Sequence, residues 1–179
     1  MTRYVALLRG VNVGTTRLAM ADLRRIVTDL GHDDVRTYLQ SGNVVFGSTV
    51  RDAEKLAGGI ERALTDELGL TVPVLVRSAR ELAAVAGGNP YAEVEADPTR
   101  LLVAFLATAP AKATVDALTV PGGENVAFTV TGREVYLHFP DGGYGRSKFT
   151  NAYLEKKLAV VATTRNGKSV RTLADMAAA

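Results

Sequence analysis

The residues of this chain best suited to chemistry are cations, hydroxyls and amides set beside glycine, a combination that recognises anions. Gly145-Arg146-Ser147-Lys148-Phe149-Thr150-Asn151 places two cations and two hydroxyls at the expected start of a helix. Ser147 or Thr150 can cap that helix, and its terminus with the flanking charges attracts phosphate or carboxylate. Thr163-Thr164-Arg165-Asn166 closes the next expected strand and offers hydroxyl, guanidinium and amide groups together. Arginine suits bidentate contact with either anion. Near the N-terminus, Arg9-Gly10-Val11-Asn12-Val13-Gly14 follows an apolar run. Glycines at positive φ let successive N–H groups turn inward as an anion-binding nest, with Arg9 as a charge and Asn12 as a donor beside it. The candidate ligand-binding residues are therefore Arg9, Asn12, Gly14, Arg146, Ser147, Lys148, Asn151, Thr164, Arg165 and Asn166. Gln40, Ser41 and Asn43, around a tight turn, form a weaker set.

Each stretch also has a purely structural reading. The glycines at 10 and 14 permit a tight exit from a strand, and their spacing is neither GxGxxG nor a P-loop. Gln40-Ser41-Gly42-Asn43 reads as a hairpin turn, where Gly and Asn serve the backbone. In the expected fold this turn and the loop after the first strand lie at opposite ends of the sheet, so a shared pocket would need the other half of the molecule. Catalytic acids and bases are scarce, because none of these stretches contains Asp, Glu or His. Ser147 and Lys148 are adjacent, and adjacent helical residues do not face each other. Glycosidase-like or serine-hydrolase-like chemistry is disfavoured.

The composition narrows the field further. With no cysteine and only His32 and His138, disulfides, thiol nucleophiles and zinc sites of nitrogen and sulfur ligands drop out. No resident metal or cofactor is implied, though a transient magnesium held with a phosphate ligand fits such a chain. Net charge is only +2, but Arg146, Lys148, Lys156, Lys157, Arg165, Lys168 and Arg171 cluster against Glu155 alone. That segment favours anionic partners. The leading expectation is binding of a phosphorylated or other anionic small molecule, or a nucleic-acid backbone, in a basic cleft. RNA-binding plaits stack bases on strand aromatics, and only Phe46 holds a comparable place in the first half, so backbone contact would dominate. Two alternatives stand beside it. One is a phosphate or acyl-phosphate hydrolase or transferase, by fold analogy with the loop cradle of acylphosphatase. The other is a protein-interaction or regulatory module. The opening apolar run is too short for a secretory signal, and no segment approaches the roughly 20 apolar residues that span a bilayer, so a cytoplasmic location without membrane contact is expected.

The elements that must position these groups follow from periodicity. Residues 3–9 form a near-continuous apolar run, as a strand buried on both faces requires. Leu23, Ile26, Val27 and Leu30 recur at helical spacing before Gly31. Strands are expected over 35–39 and 43–46, a helix over 53–68 despite Gly58-Gly59, and a strand over 72–76. A capping box at Ser78-Ala79-Arg80-Glu81 starts a linking helix that Gly87-Gly88-Asn89-Pro90 ends. The second half repeats the order: strands at 101–107, 126–130, 135–139 and 160–164, and helices after Pro110 and over about 147–158. Val170, Leu173, Ala174 and Ala177 mark an added C-terminal helix. The fold class is α+β, with two tandem ferredoxin-like βαββαβ subdomains, mainly antiparallel sheets and an extra C-terminal helix. The expected boundaries are 1–77, a link over 78–100, and 101–179.

Three stretches carry a resemblance to a known family. They are Leu7-Leu8-Arg9-Gly10-Val11-Asn12-Val13-Gly14, Thr37-Tyr38-Leu39-Gln40-Ser41-Gly42-Asn43-Val44-Val45-Phe46, and Gly145 to Asn151 running on to Thr163-Thr164-Arg165-Asn166. Met20-Ala21-Asp22-Leu23-Arg24 and Asn89-Pro90 fall between them in the expected order. Together they resemble the bacterial domain of unknown function 1697 family over essentially the whole chain. The resemblance implies tandem ferredoxin-like subdomains and no particular activity. The chain departs from the family pattern at Thr15, usually a second glycine, and at Gly167, usually an aromatic.

Overall fold

A computed structural model describes residues 1–179. The chain divides into two compact units, Met1–Ala84 with Thr172–Ala179, and Val85–Arg171. These limits differ from those expected. Residues 78–100 form no separate link but are shared between the units, and the last eight residues join the first unit.

In the first unit the order is β1 (Thr2–Leu8), α1 (Met20–Asp29), β2 (Asp33–Thr37), β3 (Asn43–Ser48), α2 (Ala53–Leu68) and β4 (Val74–Ser78), followed by α3 (Ala79–Gly87). The strands form one sheet in the order β2-β3-β1-β4, every neighbour antiparallel. That is the ferredoxin-like arrangement. Strand alternation sends Tyr4, Ala6 and Leu8 toward a core with Leu23, Ile26, Ile60 and Leu64 of the helices. Val5 and Leu7, on the other face, are also fully buried, which explains the unbroken apolar run. Asp52 caps α2 by accepting the Glu54 and Lys55 N–H groups, and Gly69 ends it in the left-handed region. With both ends fixed, the helix runs unbroken through Gly58 and Gly59.

The second unit repeats the pattern with β5 (Leu101–Leu106), α4 (Lys112–Asp116), β6 (Ala127–Thr131), β7 (Glu134–His138), α5 (Asn151–Leu158) and β8 (Ala162–Asn166). Its sheet order is β6-β7-β5-β8, again antiparallel throughout, and α6 (Gly167–Ala178) follows β8 directly. Leu102, Ala104, Leu106, Val135, Leu137 and Phe149 centre its core.

The repetition reaches single residues. In α2, Glu61 accepts the N–H of Val74, the first residue of β4; in α5, Glu155 accepts that of Ala162, the first residue of β8. Arg77 and Arg165 are each the last strand residue but one, and they are only 1% and 7% exposed. Ser78 and Asn166 follow them and cap the next helices through the N–H groups of Glu81 and Ser169. No helix of the chain is long and apolar enough to cross a membrane.

Candidate anion-recognition loop

In the second unit, β7 leads into a glycine-rich loop with Gly142 and Gly143 in the left-handed region (φ 68 and 83). A 3-10 turn follows over Tyr144–Arg146. The helix expected over about 147–158 begins later, at Asn151, because Thr150 takes the capping position and accepts the Tyr153 N–H at 3.1 Å. Ser147 is extended (φ −71, ψ 151), and its hydroxyl accepts the Phe149 N–H at 2.9 Å. Phe149 is fully buried and makes edge-on contacts with Phe128 and Tyr153. The polar stretch is thereby anchored to the core by one aromatic.

The anion-facing donors of this loop already hold a carboxylate. Ser147 Oγ donates to Glu124 at 2.5 Å, and the Lys148 N–H donates to the other oxygen at 2.7 Å. The Ser147 hydroxyl first, then the Lys148 N–H, with the Lys148 charge adding less, hold the Glu124 carboxyl below its ordinary range. Nothing in the sequence pattern paired residue 124 with residue 147. Arg146 and Lys148 are exposed. Beside this latch lies a hollow of about 390 Å³ whose walls include Glu124, Asn125, Asp141, Gly143, Arg146 and Ser147. Its size falls within the usual range for small-ligand pockets, and its walls carry both signs of charge.

A group whose folded pKa is depressed stabilises the fold above its ordinary range, and that stability is lost as pH falls through the lowered value. Acidification below the ordinary glutamate range is therefore expected to open the Glu124 contact. An NMR titration should move the Lys148 amide in the wild type, whereas Glu124→Gln should abolish that transition. An unshifted Lys148 amide in the wild type would show that the contact does not form in solution.

The other second-unit candidates lie elsewhere. Residues 163–166 form part of β8, so successive side chains alternate between faces. Thr164 donates to Asn151 of α5 at 2.6 Å, while Arg165 points to the opposite face, where its guanidinium donates to Thr163 Oγ1 at 2.7 Å. Burial lowers the Arg165 pKa to about 10, partly offset by Tyr144 nearby. Asn166 is engaged as a helix cap. None of Asn151, Thr164, Arg165 and Asn166 lines the hollow: Thr164 and Asn151 are bonded to each other, and Asn166 is taken up as a cap. Of the second-unit candidates, Arg146 and Ser147 line the hollow, and the Lys148 N–H lies beside them on Glu124.

In the first unit, the loop after β1 and the turn before β3 sit together, contrary to the expectation of opposite ends. β3 runs antiparallel beside β1 with Leu7 opposite Asn43, so the turn entering β3 lies where β1 leaves the sheet. The Asn12 side chain donates to the carbonyls of Leu18 and Gln40 at 2.8 and 2.6 Å and accepts the Leu18 N–H at 3.0 Å. Its own N–H goes to Thr16 O at 2.8 Å. The amide expected to meet a ligand instead ties two loops together. Asn43, fully buried, donates to Tyr38 O and Ser41 Oγ and so holds its own turn. Gly10, Asn12 and Gly14 are left-handed (φ 76, 56 and 59), as the tight exit requires. Two of the three motif stretches therefore meet at one end of this sheet. Arg77, which no motif singled out, is only 1% exposed and lies opposite Val5, away from that end.

Comparison with known proteins adds a family and a fold. Residues 1–136 match the family described as protein of unknown function (DUF1697). That span contains the first two motif stretches, and the third lies beyond it. The chain is also similar to a solved structure, that of conserved bacterial protein SP0830 from Streptococcus pneumoniae. Identity is 25% and the TM-score 0.77, covering 100% of this chain and 99% of that one. No curated protein matches the chain.

Proposed function

We propose, on the premise that the chain belongs to the DUF1697 family, that it binds a phosphorylated or other anionic small molecule at the loop over residues 143–148. Arg146, Ser147 Oγ and the Lys148 N–H are the recognition groups, and Glu124 occupies them when no ligand is bound. One observation carries this reading: two donors from adjacent residues converge on the two oxygens of one carboxylate. Donors so aimed suit any bidentate oxyanion. A phosphate monoester, with more charge and more acceptors than Glu124, would bring Arg146 into the contact and displace the internal carboxylate.

The internal carboxylate then competes with ligand. If it occupies the donors about nine-tenths of the time, apparent affinity is reduced about tenfold. Glu124→Ala is expected to bind about tenfold more tightly than wild type, and Arg146→Ala more weakly, with unchanged overall fold. A thermal-shift screen against nucleotides, phosphosugars and inorganic phosphate supplies the ligand. At 100 times the dissociation constant a ligand stabilises by about 2.7 kcal/mol, or roughly 5–10 °C for a chain of this size. Absence of any shift in both wild type and Glu124→Ala would reduce the Glu124 contact to a structural staple. Equal affinity in wild type and Arg146→Ala would remove Arg146 from the site.

A further inference from the structure

Two four-stranded sheets have four edge strands, and three of them are protected. Exposed edges template pairing with other chains, and proteins blunt them with charges, bulges or cover. β2 carries Asp33, Asp34 and Arg36, a register shift between Asp33 and Arg36, and a left-handed Asp34 (φ 47). β4 and β8 are largely buried, and their first N–H groups are taken by Glu61 and Glu155. β6 carries no charge, proline or bulge, although the Tyr91 hydroxyl meets Thr129 Oγ1 at 2.8 Å. Its sequence is Ala127-Phe128-Thr129-Val130-Thr131, and it pairs with β7 in unbroken register. Phe128, Thr129 and Val130 are half-buried, while Ala127 and Thr131 are exposed.

We infer that β6 pairs antiparallel with β6 of a second copy of this chain, joining the two second-unit sheets into one of eight strands. The hydrogen-bond alternation sets the register. The β6–β7 connection is a two-residue turn with left-handed Gly132 (φ 58) in its first position, which makes Thr131 and Glu134 a hydrogen-bonded closing pair. Alternation then turns Thr129 and Ala127 toward β7 and directs the N–H and C=O groups of Phe128 and Val130 outward. A two-fold axis through Thr129 sets Phe128 opposite Val130 of the second copy, and the reverse. All four outward groups of each strand are satisfied, as an isologous contact requires. The facing pair of Phe128 with Val130 is aromatic with β-branched, favourable across strands, while the Thr129 hydroxyl stays on Tyr91. No like charges meet. The area is that of one short strand, so the dimer belongs to the weak, transient class.

Sedimentation equilibrium from about 1 μM to about 1 mM should show a reversible monomer–dimer equilibrium in this range. Ala127 lies opposite Thr131 of the second copy in this register. Ala127→Lys/Thr131→Lys, at two exposed positions, sets like charges face to face at both ends and should weaken dimerisation about tenfold or more. Ala127→Lys/Thr131→Glu sets opposite charges there and should restore it. Amide exchange of Phe128 and Val130 should slow with rising concentration, while Thr129 stays unchanged. A wild type monomeric throughout the range, or a dimer indifferent to the lysine pair, overturns the inference. Dimerisation that the Lys/Glu variant fails to restore overturns the register.

Discussion

Gly42→Ala is expected to destabilise the chain by about 3 kcal/mol, within a range of roughly 2–5, from two sources that add. Gly42 has φ 86, a conformation that costs an L-residue about 1–2 kcal/mol. A Cβ there would also lie 2.5 Å from Val11 Cγ2 and 2.8 Å from Leu8 Cβ, distances at which something must move. Leu8 is the last residue of a central strand and Val11 is 1% exposed, so neither has room to retreat. Overpacking of this kind costs about 1–3 kcal/mol. The structural consequence is specific: the turn before β3 lifts away from the loop after β1, and the Asn12 contact to Gln40 O lengthens. Urea unfolding of the two proteins measures the loss. Midpoints within error of each other would mean that this end of the sheet is loosely packed.

Phe149→Ala should cost a similar or larger amount, about 3–5 kcal/mol, because a fully buried aromatic leaves a cavity that its neighbours only partly fill. Phe128 and Tyr153 each lose an edge-on partner. Phe149 also fixes the spacing between Ser147, whose hydroxyl takes its N–H, and Thr150, which caps α5. Losing that anchor lets residues 145–148 move off Glu124. The variant should therefore lose anion affinity along with stability, whereas Phe149→Leu should keep most of both. Retained affinity in a destabilised Phe149→Ala protein would separate the loop from its anchor. It would leave the latch geometry dependent on Glu124 alone.

The local signals were legible in the sequence. The buried runs at 3–9 and 101–107, the helical stripe from Leu23 to Leu30, the glycine after α2 and the turn at Gly132 all led to elements close to their expected places. β4 and β8 start two residues later than periodicity suggested, at Val74 and Ala162. Valines at 72, 160 and 161 are as apolar as strand residues, and only the pairing register places the first partners of the ladders after them. Arg77 carries no sequence signal of its own: it sits between Val76 and the capping box that Ser78 opens. Its partner in the repeat, Arg165, stands out in the Thr-Thr-Arg-Asn run, yet its side chain is buried rather than at the surface.

Sequence by itself determined the two βαββαβ passages, the family and the polar stretches where a ligand is to be sought, since period, turn chemistry and composition are properties of neighbouring residues. Tertiary structure alone decided which groups meet. Strand pairing put the turn at 40–43 beside Asn12, side-chain alternation parted Arg165 from Thr164, and a carboxylate 23 residues away reached Ser147. Distances of that kind depend on how strands order themselves in a sheet. Burial energy and hydrogen-bond pairing of the whole unit fix that order, and no short window of residues encodes it.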